Sequence, residues 1–141
     1  MQIRDVKLSR AELDDIYKDF ESIDRRLGIP AENSVRFELG AFEGGNIVGY
    51  VSGISEHELF YLSDLWVSER YRGKGLGSEL LRLIEQKASG VCRHIYTWTA
   101  GERNLRFYKS NGYEVFVVFE DFTGVKGHDK AGLRKELTGN R

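Results

Sequence analysis

Apolar residues recur along this chain with two periods, and the periods divide it into elements. Ile16, Phe20, Ile23 and Leu27 fall three or four apart, a helical stripe. Ser9 followed by Glu12 has capping-box spacing and opens that helix, and Gly28-Ile29-Pro30 stops it. Ahead of it, residues 2–7 read as a short strand. Residues 35–42 and 46–54 read as two strands of a hairpin joined at Glu43-Gly44-Gly45-Asn46. A third long strand covers 58–67, with the clusters Leu59-Phe60-Tyr61-Leu62 and Leu65-Trp66-Val67. A second helical stripe, Leu80, Leu81, Leu83 and Ile84, predicts a helix over about 76–88 ending near Ser89-Gly90. Cys92 to Thr99 is strand-like, 102–110 a short helix stopped by Asn111-Gly112, and Tyr113 to Phe119 a β-forming run. A polar loop over 121–130 precedes a closing strand at 131–137. The predicted order is β-α-β-β-β-α-β-α-β-β, a chain of the α/β (α+β) class.

Composition narrows this picture. At 141 residues with 40% hydrophobic content and no Pro-, Gly- or Ser-rich linker, residues 1–141 read as one domain. Lys+Arg 21 against Asp+Glu 22 gives no general attraction to nucleic acid. No apolar run approaches a membrane span, and the N-terminus carries charges where a signal peptide is apolar. One cysteine, Cys92, forms no internal disulfide and fits a reducing cytoplasm.

The chemistry concentrates between residues 64 and 113. Arg70-Tyr71-Arg72-Gly73-Lys74-Gly75-Leu76-Gly77-Ser78 joins the third long strand to the second helix. A glycine turn bearing positive charge at a helix N-terminus suits an anion, because first-turn N–H groups are unpaired and the helix dipole is positive there. A dinucleotide G-x-G-x-x-G needs glycine where Ser78 stands, and no window supplies a Walker loop.

What remains, Arg72-x-x-Gly75-x-Gly77, resembles the pyrophosphate turn of the GNAT family of acetyl-CoA-dependent N-acetyltransferases. Phe107-Tyr108-Lys109-Ser110-Asn111-Gly112-Tyr113 is similar to that family's second motif, an aromatic pair, three residues, then Gly-Phe or Gly-Tyr. One helix and one strand fit between the two, as the family requires, and the likeness runs from about residue 2 to 137.

The resemblance implies a mixed, mostly antiparallel sheet of six to seven strands flanked by helices and splayed between strands 4 and 5. It implies acetyl-CoA as co-substrate and a primary amine of a small molecule as acceptor. By the same likeness Leu65, Trp66 and Val67 pair with pantetheine. Arg72, Gly73, Lys74, Gly75, Leu76, Gly77 and Ser78 wrap the diphosphate, and Tyr108 supplies a proton or hydrogen bond to the leaving thiolate. Many members carry N-x-x-A-x-x-[FL]-Y at the second motif. Here Gly101 holds the asparagine position and Asn104 the alanine position, one helical turn before Tyr108. Asn104 is therefore the candidate for the pantetheine contact. Asp121-Phe122 to Gly127-His128 matches a D-[FY]-…-G-H element of some small bacterial members, at longer spacing.

An alkylammonium has a pKa near 10, so roughly one molecule in a thousand is the free nucleophile at neutral pH. The site must therefore accept a proton. Asp64 precedes the cofactor-contacting strand end and could point into the cleft; Glu56, His57 and Glu58 sit at the other end of that strand. Each reads equally as a solvated charge, and water leading to bulk would serve as well. Cys92 lacks an obvious His-Asp partner, and His57, His94 and His128 are too scattered for a metal set, so no metal is expected. Trp66 and Trp98 read most simply as core or cleft-wall aromatics. A non-catalytic acyl-CoA sensor, an assembly module and a peptide or protein N-acetyltransferase are the rival readings. Dimerisation is common in the family, which admits a homodimer.

Overall fold

The computed structural model describes residues 1–138. The chain forms two compact units, residues 1–32 and the chain from Asn33 onward.

The first unit is built on helix α1, Arg10–Arg26. Its start follows the capping box: Glu12 N–H donates to Ser9 Oγ at 3.1 Å, and Ser9 N–H donates to Glu12 Oε1 at 3.0 Å. Those bonds from Ser9 hold the Glu12 carboxyl below its ordinary pKa. Residues 2–7, expected as a strand, are irregular instead. Ile3 and Val6 are three apart, so an extended chain would point them to opposite sides and give neither face a continuous apolar edge.

The second unit is a six-stranded sheet in the order β1-β2-β3-β4-β6-β5. Its strands are β1 Arg36–Glu43, β2 Asn46–Glu56, β3 Leu59–Val67, β4 His94–Ala100, β5 Glu114–Phe119 and β6 Lys130–Glu136. All neighbours run antiparallel except β3 and β4. Helices α2, Leu76–Ser89, and α3, Glu102–Ser110, complete the unit. Of the stripe read from the sequence, Leu80, Leu81 and Ile84 are buried and Leu83 is half-buried; with Ala88 the buried three join Val51, Phe60, Leu62, Ile95 and Leu133 in one core. Among the described residues no helix is long and apolar enough to cross a membrane.

Two features of β3 create the opening that matters. Its register with β2 steps from Ser52↔Asp64 to Gly53↔Leu62, so Ser63 bulges out of the ladder. A bulge bends its strand and increases the local twist. The parallel ladder of β3 with β4 ends at Tyr61↔Tyr96, although the strands continue to Val67 and Ala100. Just past that end, a side chain replaces the ladder: Thr97 Oγ1 donates to the Leu62 carbonyl at 2.9 Å. The splay therefore falls between β3 and β4. These are the strands expected as fourth and fifth, renumbered because residues 2–7 add none.

Candidate active site

The gap beyond Thr97 is a cavity of about 570 Å³. The end of β3 (Leu65, Trp66, Val67), the turn after it, Thr99 of β4 and one side of α3 line it. On its other edge the end of β3 pairs with β2 through Val51↔Leu65, Tyr50↔Trp66 and Gly49↔Val67. Because β4 has already diverged, the cavity-side edge of residues 65–67 keeps main-chain groups that no strand occupies.

The turn is shaped by backbone conformation. Gly73 and Gly75 take φ of 73° and 88°, the left-handed region, and a Cβ at either would meet nothing within 4 Å. They are glycine for conformation rather than for lack of room. Gly75 is the residue before α2, and the first intrahelical bond runs from Glu79 N–H to its carbonyl at 3.0 Å. The N–H groups of Leu76, Gly77 and Ser78 thus lie in the unpaired first turn, at the positive end of the helix. The donor set fits a diphosphate.

Most residues singled out in the sequence meet here. Leu65, Trp66, Val67, Arg72, Gly73, Gly75, Gly77, Ser78, Asn104 and Tyr108 all line the cavity. Leu76, Lys74 and Asp64 do not, nor do Glu56, His57 and Glu58. Leu76 packs against the core, Lys74 Nζ lies 5.9 Å above the Tyr71 ring, and Asp64 is exposed and accepts a hydrogen bond from Ser52 Oγ at 3.2 Å. Arg72 has a structural task as well: its Nε donates to the Val67 carbonyl at 2.8 Å, fastening the turn to the strand end.

Tyr108 is 7% exposed, against Phe107 and Tyr113 at ring separations of 5.2 and 5.4 Å. Burial pushes its phenol up to about 12, with the Thr97 hydroxyl as the hydrogen-bonding neighbour that pulls it back. Tyr108 is accordingly a proton-bearing donor at neutral pH. Asn104 Nδ2 donates to the Ala100 carbonyl at 3.0 Å and so anchors α3 to the end of β4. Gly101, at the family's asparagine position, has φ 89° and ψ 145°, close to a region that glycine alone populates comfortably.

Sequence reasoning missed Tyr71, Thr99, Arg103 and Phe107 as lining residues, and Thr97 as the neighbour of Tyr108. Arg103 and Phe107 were within reach, being one helical turn apart and flanking Asn104. Thr97 was not, since only the docking of α3 on β4 brings it under Tyr108.

The splayed sheet thus sets a cationic glycine turn on one side of the gap and a protonated phenol on the other. The chain belongs to the acetyltransferase (GNAT) family, whose profile matches residues 6–113; that family is a class of acyl-transferring enzymes that use acetyl-CoA. Over 106 residues it is 29% identical to the N-alpha-acetyltransferase RimI of Mycobacterium tuberculosis, covering 70% of this chain and 65% of that protein. The chain thus spans just under two thirds of the length of that curated relative. An acetyltransferase crystal structure from Bacillus cereus superposes with a TM-score of 0.76 at 28% identity, covering 96% of this chain and 98% of the other. An aminoglycoside 6'-N-acetyltransferase complexed with coenzyme A shares the fold, with a TM-score of 0.66 at 16% identity over 75% of each chain.

Proposed function

We propose that the protein transfers an acetyl group from acetyl-CoA to a primary amine of a small molecule, by direct attack within a ternary complex. One observation carries this reading: the unpaired first turn of α2 and the buried phenol of Tyr108 open onto the same cavity. Arg72 and the amides from Gly73 to Ser78 would hold the diphosphate. The main-chain edge of residues 65–67 that no strand covers, apart from the Val67 carbonyl held by Arg72, would pair with the pantetheine arm, and an N–H there would meet the oxyanion of the tetrahedral intermediate. Asn104, whose NH₂ is already used on Ala100, has its carbonyl oxygen to offer. Tyr108 would donate to the sulfur as it leaves.

Asp64 does not line the cavity, so a proton it accepts from the ammonium crosses through solvent. Comparing Asp64→Asn with the unaltered protein separates that route from direct loss to bulk water. Cys92 is buried and in no disulfide among the described residues, which suits a reducing cytoplasm.

A peptide N-terminus is the second reading of the acceptor, favoured by the likeness to RimI. A thiol-release screen across aminoglycosides, polyamines, amino acids and short peptides distinguishes the two. Coenzyme binding without thiol release above hydrolysis, for every amine tried, would mean a sensor instead.

A further inference from the structure

The first turn of α2 and the last turn of α3 meet through one polar contact. Asn111 Nδ2 lies 2.8 Å from the Phe107 carbonyl and 3.3 Å from Ser78 Oγ. A carbonyl oxygen only accepts, so the face of the Asn111 amide turned to Phe107 is its NH₂. The second hydrogen of that NH₂ then points at Ser78, and Ser78 Oγ is the acceptor. A hydroxyl that accepts along one lone pair must send its single hydrogen elsewhere. Among the described residues Ser78 has no other hydrogen-bond partner, and it lines the cavity three residues into α2.

We infer that Asn111 is a positioning residue for coenzyme binding: it orients the Ser78 hydroxyl so that its hydrogen faces the diphosphate, beside the unpaired N–H groups of the same turn. This rests on the diphosphate reading of that turn. Asn111 is itself held from behind. Its backbone carbonyl accepts from Lys135 Nζ at 3.0 Å, and Lys135 also donates to Glu85 Oε1 of α2 at 3.0 Å. The other oxygen of Glu85 accepts from Tyr113 at 2.7 Å. The end of α3 is thereby tied to α2 and β6, and the amide stays on Ser78.

Aspartate at this position is the decisive variant. It is isosteric but has no hydrogen to give, so it would accept from Ser78 and turn the hydroxyl hydrogen away from the cavity. The experiment is calorimetric titration with coenzyme A of the unaltered protein and of Ser78→Ala, Asn111→Ala, Asn111→Asp and both double variants carrying Ser78→Ala. Melting curves run alongside, and S-acetylpantetheine, which lacks every phosphate, serves as the comparison substrate. Ser78→Ala is expected to weaken coenzyme A binding about tenfold, the loss of a hydrogen bond to a charged group. Asn111→Ala should weaken it about threefold, and Asn111→Asp more than Asn111→Ala. In the Ser78→Ala background Asn111→Ala should cost nothing further, and S-acetylpantetheine turnover by the single Asn111 variants should match that of the unaltered protein.

Additive losses from Ser78→Ala and Asn111→Ala overturn the inference, as does Asn111→Asp binding as tightly as the unaltered protein. An equal loss with S-acetylpantetheine would mark Asn111 as a structural link only. If the unaltered protein fails to bind coenzyme A, the proposed function falls and takes this inference with it. Should Asn111→Ala not fold, Asn111→Asp carries the test together with its Ser78→Ala double: the charge of aspartate acts in both, so an equal loss in the two backgrounds overturns the inference and a smaller loss in the Ser78→Ala background supports it.

Discussion

Replacing Tyr108 by phenylalanine removes one oxygen from the wall of the cavity, and the structure sets the size of the effect. With its phenol pushed up to about 12, Tyr108 is a weaker acid than an alkyl thiol, so full proton transfer to the departing thiolate is uphill. On the proposed mechanism Tyr108 would therefore work mainly by donating a hydrogen bond to the sulfur as charge collects there, the proton itself coming later from water. A hydrogen bond to a charged group contributes about 1.5–3 kcal/mol. Its loss should lower kcat about 10- to 150-fold. The ring contacts with Phe107 and Tyr113 persist, and Thr97 keeps its bond to the Leu62 carbonyl. Stability should consequently drop by only about 0.5–1.5 kcal/mol. Thiol-release kinetics with a responsive amine give kcat and KM, and calorimetry gives coenzyme affinity. Unchanged kcat would remove Tyr108 from the chemistry. A loss seen mainly in acetyl-CoA affinity would make it a wall of the cavity.

Four further outcomes are expected. Arg72→Ala unfastens the turn from the Val67 carbonyl and should weaken coenzyme A binding about 5- to 30-fold by calorimetry, with stability little changed; unchanged affinity would leave Arg72 a surface charge. Gly53→Ala would place a Cβ 2.3 Å from Phe60 Cε1 and 2.5 Å from the Tyr61 carbonyl beside the bulge, so more than about 2 kcal/mol of stability should be lost in chemical denaturation; a variant as stable as the parent would refute that packing. Because burial raises the folded Tyr108 pKa above its unfolded value, the native state binds the proton more tightly. The stability this contributes is present below about pH 10 and lost as pH rises toward 12, a loss that alkaline melts should find smaller in Tyr108→Phe. For the same reason kcat/KM should climb as the acceptor ammonium deprotonates and show no falling limb before about pH 9.5. A fall near pH 8 would point to a different donor.

The amino-acid sequence alone determined what depends on near neighbours. The stripe of α2, the capping box of α1 and the two motifs answer to spacing along a few residues. So does the glycine turn, whose backbone must enter the left-handed region at Gly73 and Gly75. Most of the cavity lining was legible for that reason, since the motifs carry it on a strand end, a turn and one helix face. Residues 2–7 misled because β-forming side chains without a period-two edge do not make a strand. Other matters were left to tertiary structure. Ser63 leaves the ladder only against Ser52, and the β3–β4 ladder stops where Thr97 takes the Leu62 carbonyl. Arg72 reaches back to Val67, and Asn111 meets Ser78 across 33 positions of chain. A hydrogen bond is satisfied or lost within a few tenths of an ångström, and only the packing of strands, turn and helices against one another sets those distances.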